Sequence, residues 1–205
     1  MSIGEKMNIA VDFDGVLFDT ESWFMAYASL YNLDVKGGKV INKKNFRVQD
    51  RYNWTDEKIT EYIVNHSPFI ESEAPVMPMA KDVLNALSKN HKIFAISARG
   101  GWLNEEKEIT LKRLEKENIH FDKVVFTNHS KVEACRELKI DLMIDDYPKV
   151  VKELAKNNVK CLYFRDLTNK KVKHKNATEV RNWGDIAVEL IKLGIIEKED
   201  LKIKI

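Results

Sequence analysis

The sequence predicts an α/β fold, a doubly wound parallel sheet of five strands with a small helical cap inserted after the first strand. Three observations predict it. Short runs are apolar on successive residues, as in parallel strands buried on both faces. Segments with apolar residues at helical spacing lie between these runs, and such alternation builds a parallel sheet with helices on both sides. One long interval, residues 20–72, breaks the alternation and contains no strand-like run.

The first strand is expected at 7–11 and ends in Asp12-Phe13-Asp14-Gly15. Further strands follow at 92–96, 123–126, 142–144 and 160–164. The helical stripes are Ala80, Val83, Leu84 and Leu87; Ile109, Leu111 and Leu114; Val132, Ala134, Cys135 and Leu138; and Val150, Val151 and Leu154. A last stripe of Ile186, Ala187, Leu190 and Ile191 is stopped by Gly194, and Trp183 is expected to anchor that helix. Within the interruption, one helix is expected around 23–31 and another around 55–65, with Asp56 and Glu57 suiting its N-terminus. Pro68, Pro75 and Pro78 punctuate the return to the sheet. The expected division is a core of residues 1–19 and 73–205 and a cap of residues 20–72.

Composition narrows the function classes. A formal net charge of +2 over 205 residues argues against a nucleic-acid polymer as the main partner. Cys135 and Cys161 have no CxxC or Cys/His spacing around them, which suits a reduced protein with buried thiols. Met1-Ser2-Ile3-Gly4-Glu5-Lys6 has no apolar stretch of the signal-peptide kind, and no apolar run approaches the ~20 residues of a membrane span. The expected location is the cytoplasm.

The chemistry is expected where the strands end. Ligands of open parallel sheets bind beyond the carboxyl ends of the strands, at the point where strand order reverses. Asp12 and Asp14 project to the same side because strand side chains alternate, and Gly15 permits a sharp turn. Clustered carboxylates need a cation or a shared proton, which points to a hard metal such as Mg²⁺ and to a carboxylate that attacks phosphorus. The second strand ends in Ser97-Ala98-Arg99-Gly100, the fourth in Asp145-Asp146, and Lys131 opens the helix between the third and fourth. Such a set suits a phosphoryl group held beside a divalent cation. Each piece has a plainer reading. Asp12 and Asp14 could cap a turn, Asp145-Asp146 could cap the helix at Pro148, Ser97 could be a loop hydroxyl and Lys131 a solvated lysine.

Asp12-Phe13-Asp14-Gly15-Val16, Ser97, Lys131 and Ile144-Asp145-Asp146 together resemble, in order, the four motifs of the haloacid dehalogenase (HAD) superfamily. Within it, the segments 11–17, 78–84 and 142–148 are most similar to the 5'(3')-deoxyribonucleotidase family and its bacterial relatives. The resemblance implies that Asp12 is the nucleophile and forms an aspartyl-phosphate. Asp14 would be the general acid and base, with Ser97 and Lys131 binding the phosphoryl oxygens. Asp12, the main-chain carbonyl of Asp14 and Asp145 would hold Mg²⁺, with Asp146 as a secondary ligand. Dehalogenases of the superfamily typically lack the second aspartate, so Asp14 favours a phosphatase. The sequence departs from mammalian members in its Ser97-Ala98-Arg99 and in Phe18, and those differences bear on the substrate.

The expected activity is hydrolysis of a small phosphorylated metabolite, a (deoxy)nucleoside monophosphate first and a sugar phosphate second. A non-catalytic phosphate-sensing module on the same fold is a further alternative. A receiver domain is disfavoured because Thr127-Asn128-His129, and no aspartate, follows the third strand. Nine of the nineteen aromatic residues fall in the interruption, namely Trp23, Phe24, Tyr27, Tyr31, Phe46, Tyr52, Trp54, Tyr62 and Phe69. Most are expected to build the cap's own core, leaving Phe18 and Trp54 as candidates to touch substrate. Arg99 is a candidate for the substrate phosphate or for an ion pair, and Arg47 and Arg51 for a ligand anion or solvent.

Overall fold

The structure is a computed structural model that describes residues 6–45, 47–101, 103, 105–127, 130–165 and 170–201. Phe46 and the Asn128-His129 pair discussed above lie outside the described residues. In chain order the elements are β1 (Asn8–Val11), α1 (Thr20–Asp34), α2 (Asp56–Glu73), α3 (Ala80–Ser88), β2 (Lys92–Ser97), α4 (Glu106–Lys116) and β3 (Lys123–Phe126). They continue with α5 (Lys131–Glu137), β4 (Leu142–Asp145), α6 (Pro148–Lys156), β5 (Lys160–Phe164), β6 (Ala177–Val180) and α7 (Trp183–Lys192).

Among the described residues all strands are parallel, in the order β3-β2-β1-β4-β5-β6. The sheet therefore has six strands, not five. The sixth was hidden because an edge strand needs one buried face at most: Thr178 and Glu179 are exposed and only Val180 is fully buried. One face packs Ile9, Val11, Leu142 and Ile144 against α3 and α7. The other packs Ala10, Phe94, Met143 and Tyr163 against α5 and α6. Strand order reverses between β1 and β4, where Val11 lies in register with Ile144 and the Asp12 amide donates to the Ile144 carbonyl at 3.0 Å. Asp12 and Asp145 thus leave the sheet side by side.

Between β1 and α3, helices α1 and α2 enclose an aromatic core of their own, with Ala28, Val48, Tyr52, Trp54, Tyr62 and Ile63 buried. Asp19 caps α1 and Thr55 caps α2, each accepting a backbone N–H from the first turn. The second helix corrects one expectation. It runs through Pro68 to Glu73 rather than stopping near residue 65. Pro68 forfeits the bond that its N–H would have made to Val64, but Tyr62, Ile63, Ser67 and Ile70 are buried on either side and hold the helix together.

The two connections between this helical layer and the sheet layer pair with each other. Asp19 N–H donates to the Pro75 carbonyl and Met77 N–H to the Leu17 carbonyl, both at 2.9 Å. Arg113 of α4 clamps them, donating to the carbonyls of Ser72 and Ala74 while its guanidinium lies 5.5 Å from the Phe18 ring centre. Trp183 anchors α7 as expected and does more, since its indole N–H donates to the Val16 carbonyl at 2.8 Å and braces the turn after β1.

Candidate active site

The first turn of the site follows from backbone geometry. Phe13 accepts the amides of Val16, Leu17 and Phe18, which folds the chain back directly after β1. Gly15 sits at φ +69°, and a Cβ there would run into the Asp146 carboxylate as well as meet Glu21. Glycine is required at this position both by its left-handed conformation and by the acidic neighbour.

Lys131 Nζ lies 2.6 Å from Asp12 Oδ2 and 2.7 Å from Asp145 Oδ2, with all three side chains buried or nearly so. Asp145 is fully buried, and its other oxygen accepts the Tyr147 amide at 2.8 Å. Asp145 thus ties down the turn that leads into α6 while facing Lys131, but no side chain caps the first turn of that helix, so the capping reading of the Asp145-Asp146 pair does not hold. Burial pushes Asp12 up to about 7; Lys131 opposes the rise, while Asp145 and Asp14 add to it. Burial also acts against the charge on Lys131, but Asp12 and Asp145 outweigh it and hold the ammonium charged.

Asp14 faces a different partner. Arg99 Nε donates to its Oδ1 at 3.2 Å and Oδ2 at 3.0 Å, and Nη2 donates to Oδ1 at 2.6 Å. Burial disfavours the Asp14 carboxylate, yet Arg99 prevails and lowers its pKa below the ordinary value. Arg99 is fixed from behind as well, since Nη1 donates to Thr110 Oγ1 at 2.9 Å. Of the two readings of Arg99, the structure shows an ion pair, a buried one at the cavity wall. Ser97 is buried at the end of β2, and its hydroxyl accepts the Arg99 amide at 3.2 Å.

Among the described residues, Asp12, Asp145 and Asp146 bring one oxygen each to within 4.8 Å of one another. Lys131 is the cation that touches this group, and Asp146 is driven well above its ordinary pKa by burial and then by Glu21, Asp145 and Asp12. Three converging buried carboxylates fit a hard divalent cation held by oxygen ligands.

A cavity of about 590 Å³ opens over this group, between the strand ends and the helical layer. Asp12, Asp14, Ser97, Arg99, Lys131 and Asp146 line it from the sheet side. Phe24, Arg47, Gln49, Tyr62, Ser67 and Glu71 line it from the helical side. Two sequence candidates stand elsewhere. Phe18 is fully buried, its ring flanked by the guanidinium groups of Arg99 and Arg113. Trp54 packs in the helical layer's core, stacked 4.4 Å from Tyr52 with its indole N–H on Asn32. Neither lines the cavity, so the expected substrate contact by these two is replaced by packing. Arg47 lines it, whereas Arg51 is buried with its Nε on the Asn45 carbonyl.

Sequence reasoning missed Glu71, Ser67, Glu21, Glu106 and Ser130, all on the cavity wall. Ser67 and Glu71 are one helical turn apart on α2, but polar residues of that helix look alike until one face is known to be covered. Ser130 was findable as the N-cap before Lys131.

The family model described as 5' nucleotidase, deoxy (pyrimidine), cytosolic type C matches residues 6–196. The chain belongs to this nucleotidase family. It is 26% identical over 186 residues to a nucleotidase of Clostridium acetobutylicum, a match covering 89% of this chain and 92% of that one. Its fold is similar to a haloacid dehalogenase-like family hydrolase of Streptococcus pneumoniae, with a TM-score of 0.65 at 14% identity over 90% of this chain and 98% of the other. A HAD-hydrolase of Bacillus subtilis, solved bound to magnesium, has a TM-score of 0.59 at 11% identity, covering 91% of this chain and 99% of its own. The chain is thus a nucleotidase-family phosphatase of HAD-like fold. No helix among the described residues is long and apolar enough to cross a membrane.

Proposed function

We propose that this protein is a Mg²⁺-dependent 5'-nucleotidase acting on (deoxy)nucleoside monophosphates through an aspartyl-phosphate on Asp12. The observation that carries the reading is the Asp12–Lys131–Asp145 contact at the strand-order reversal, opening on a cavity whose far wall presents Phe24 and Tyr62. Family membership supports the reaction class, and the cytosolic type of that family supports a cytoplasmic location.

In this mechanism Lys131 and the Ser97 hydroxyl hold the phosphoryl oxygens while Asp12 attacks phosphorus in line with the ester oxygen. A bond forms between an Asp12 oxygen and phosphorus as the ester bond breaks, and Asp14 donates a proton to the departing alkoxide. Asp14 then takes a proton from the water that attacks the phospho-Asp12, and orthophosphate leaves. Asp12, Asp145 and the main-chain carbonyl of Asp14 would hold Mg²⁺, with Asp146 beside them. The bound ion would offset negative charge between nucleophile and phosphoryl group. Residues 20–72 act as the cap that selects the leaving group, its aromatic side chains facing a base.

A sugar phosphate is the second reading, favoured by the polar stretch that Ser67 and Glu71 present on the same wall. The deciding experiment measures phosphate release, with Mg²⁺ or with chelator, from deoxynucleoside and nucleoside 5'-monophosphates, sugar phosphates and p-nitrophenyl phosphate. A folded Asp12→Asn protein serves as the blank and is expected to lose turnover. A sugar phosphate with kcat/KM about tenfold above every nucleotide would replace the nucleotide assignment. Residual metal-dependent turnover by Asp12→Asn would reject Asp12 as nucleophile.

A further inference from the structure

Glu71 stands in the last turn of α2, on the cavity wall, with only 6% of its side chain exposed. Its Oε2 has no hydrogen-bond partner among the described residues and points at Arg99 Nε from 4.0 Å. A buried oxygen left unsatisfied destabilises the fold, so the arrangement calls for a purpose. Burial, with Asp14 and Glu106 adding to it and Arg99 opposing, pushes the Glu71 carboxyl up to about 9.

Arg99 supplies that purpose. Its Nε and Nη2 are both committed to Asp14, and between them they occupy both carboxylate oxygens. An acid–base carboxyl must instead bring one oxygen within hydrogen-bond reach of the leaving-group oxygen. The Nε–H therefore needs another acceptor during turnover. Glu71 Oε2 approaches it from the helical layer and lacks about 1 Å of hydrogen-bond distance. Arg99 keeps a pivot meanwhile, because Nη1 remains on Thr110, whose hydroxyl donates to the Glu106 carbonyl at 2.7 Å.

We infer that Glu71 is a positioning residue: by accepting the Arg99 Nε–H it draws the guanidinium off Asp14 Oδ2 and frees that oxygen for the leaving group. The inference rests on the proposed acid–base role of Asp14. A good leaving group needs little protonation, so the loss of Glu71 discriminates between substrates where a general structural defect does not.

The test uses the full chain with Mg²⁺, comparing a deoxynucleoside monophosphate with p-nitrophenyl phosphate. Glu71→Leu is expected to lower kcat at least about tenfold on the nucleotide and less than about threefold on the aryl ester, with KM within about twofold. Glu71→Gln keeps an oxygen acceptor in the same place and is expected to stay within about threefold of the parent on both. Equal losses on the two substrates, no loss, or a Gln variant as damaged as the Leu variant would overturn the inference. Separately, the ¹⁵Nε resonance of Arg99 is expected to move when Mg²⁺ and metavanadate are added to the parent, and to stay put in Glu71→Leu. An unmoved parent resonance, or the same movement in both proteins, rejects the role of Glu71. A parent inactive on both substrates counts against the nucleotidase reading, while this resonance still decides the positioning claim.

Discussion

Asp12 and Asp145 share one ammonium: Lys131 Nζ lies 2.6 Å from the first and 2.7 Å from the second. Asp146 brings a third buried carboxylate to within 4.8 Å of these two. Removing such carboxylates from water is costly, and a bound cation would offset that cost.

Magnesium should therefore stabilise the folded chain apart from any turnover. A ligand that binds only the native state at about a hundredfold over its Kd contributes about 2.7 kcal/mol. Thermal unfolding followed with rising MgCl₂ is expected to show an increasing Tm, and Asp145→Ala should show a much smaller increase. A parent Tm indifferent to millimolar Mg²⁺ would speak against the carboxylate group as a cation site.

Glu71 should give stability a pH slope in chelator. Its carboxyl is raised from 4.5 to about 9, so the folded state keeps a proton that the unfolded chain releases above 4.5. The unfolded state then binds fewer protons, and stability falls as pH rises through this window. Asp12, raised to about 7, acts in the same direction over a narrower range. Glu71→Gln is expected to flatten urea midpoints compared at about pH 5, 7 and 9, with its largest gain over the parent at the alkaline end. Parallel slopes in the two proteins would place the proton elsewhere.

Arg113 should matter to stability although none of the partners named here lines the cavity. It donates to two carbonyls at the end of α2, pairs with Glu117 at 3.0 Å and lies against Phe18. Arg113→Ala strands these groups in a buried place, and a loss of about 2–4 kcal/mol is expected from chemical denaturation. A loss below about 0.5 kcal/mol would show that water replaces the guanidinium without difficulty.

The strands with two buried faces were legible because continuous apolar runs leave few other readings, and the groups at their ends were legible from position alone. Asp12, Ser97 and Asp145 follow from knowing where a parallel strand stops, and Lys131 from where the helix after β3 starts. The sixth strand was not legible, because an exposed edge imposes no apolar pattern on Thr178 and Glu179. Pro68 misled for a related reason: its local preference was real, but packing on both sides overrode it.

The sequence by itself determined five of the six strands, the carboxylate pair that follows β1 and the likeness to the family, since each rests on short runs or motifs of a few residues taken in order. Only the tertiary structure decided what each side chain faces. It turned Phe18 and Trp54 inward, set Arg99 on Asp14, and placed the Glu71 carboxyl 4.0 Å from the same guanidinium. Such contacts join residues far apart in the chain, and burial fixes their charges and partners only when the helical layer and the sheet come together.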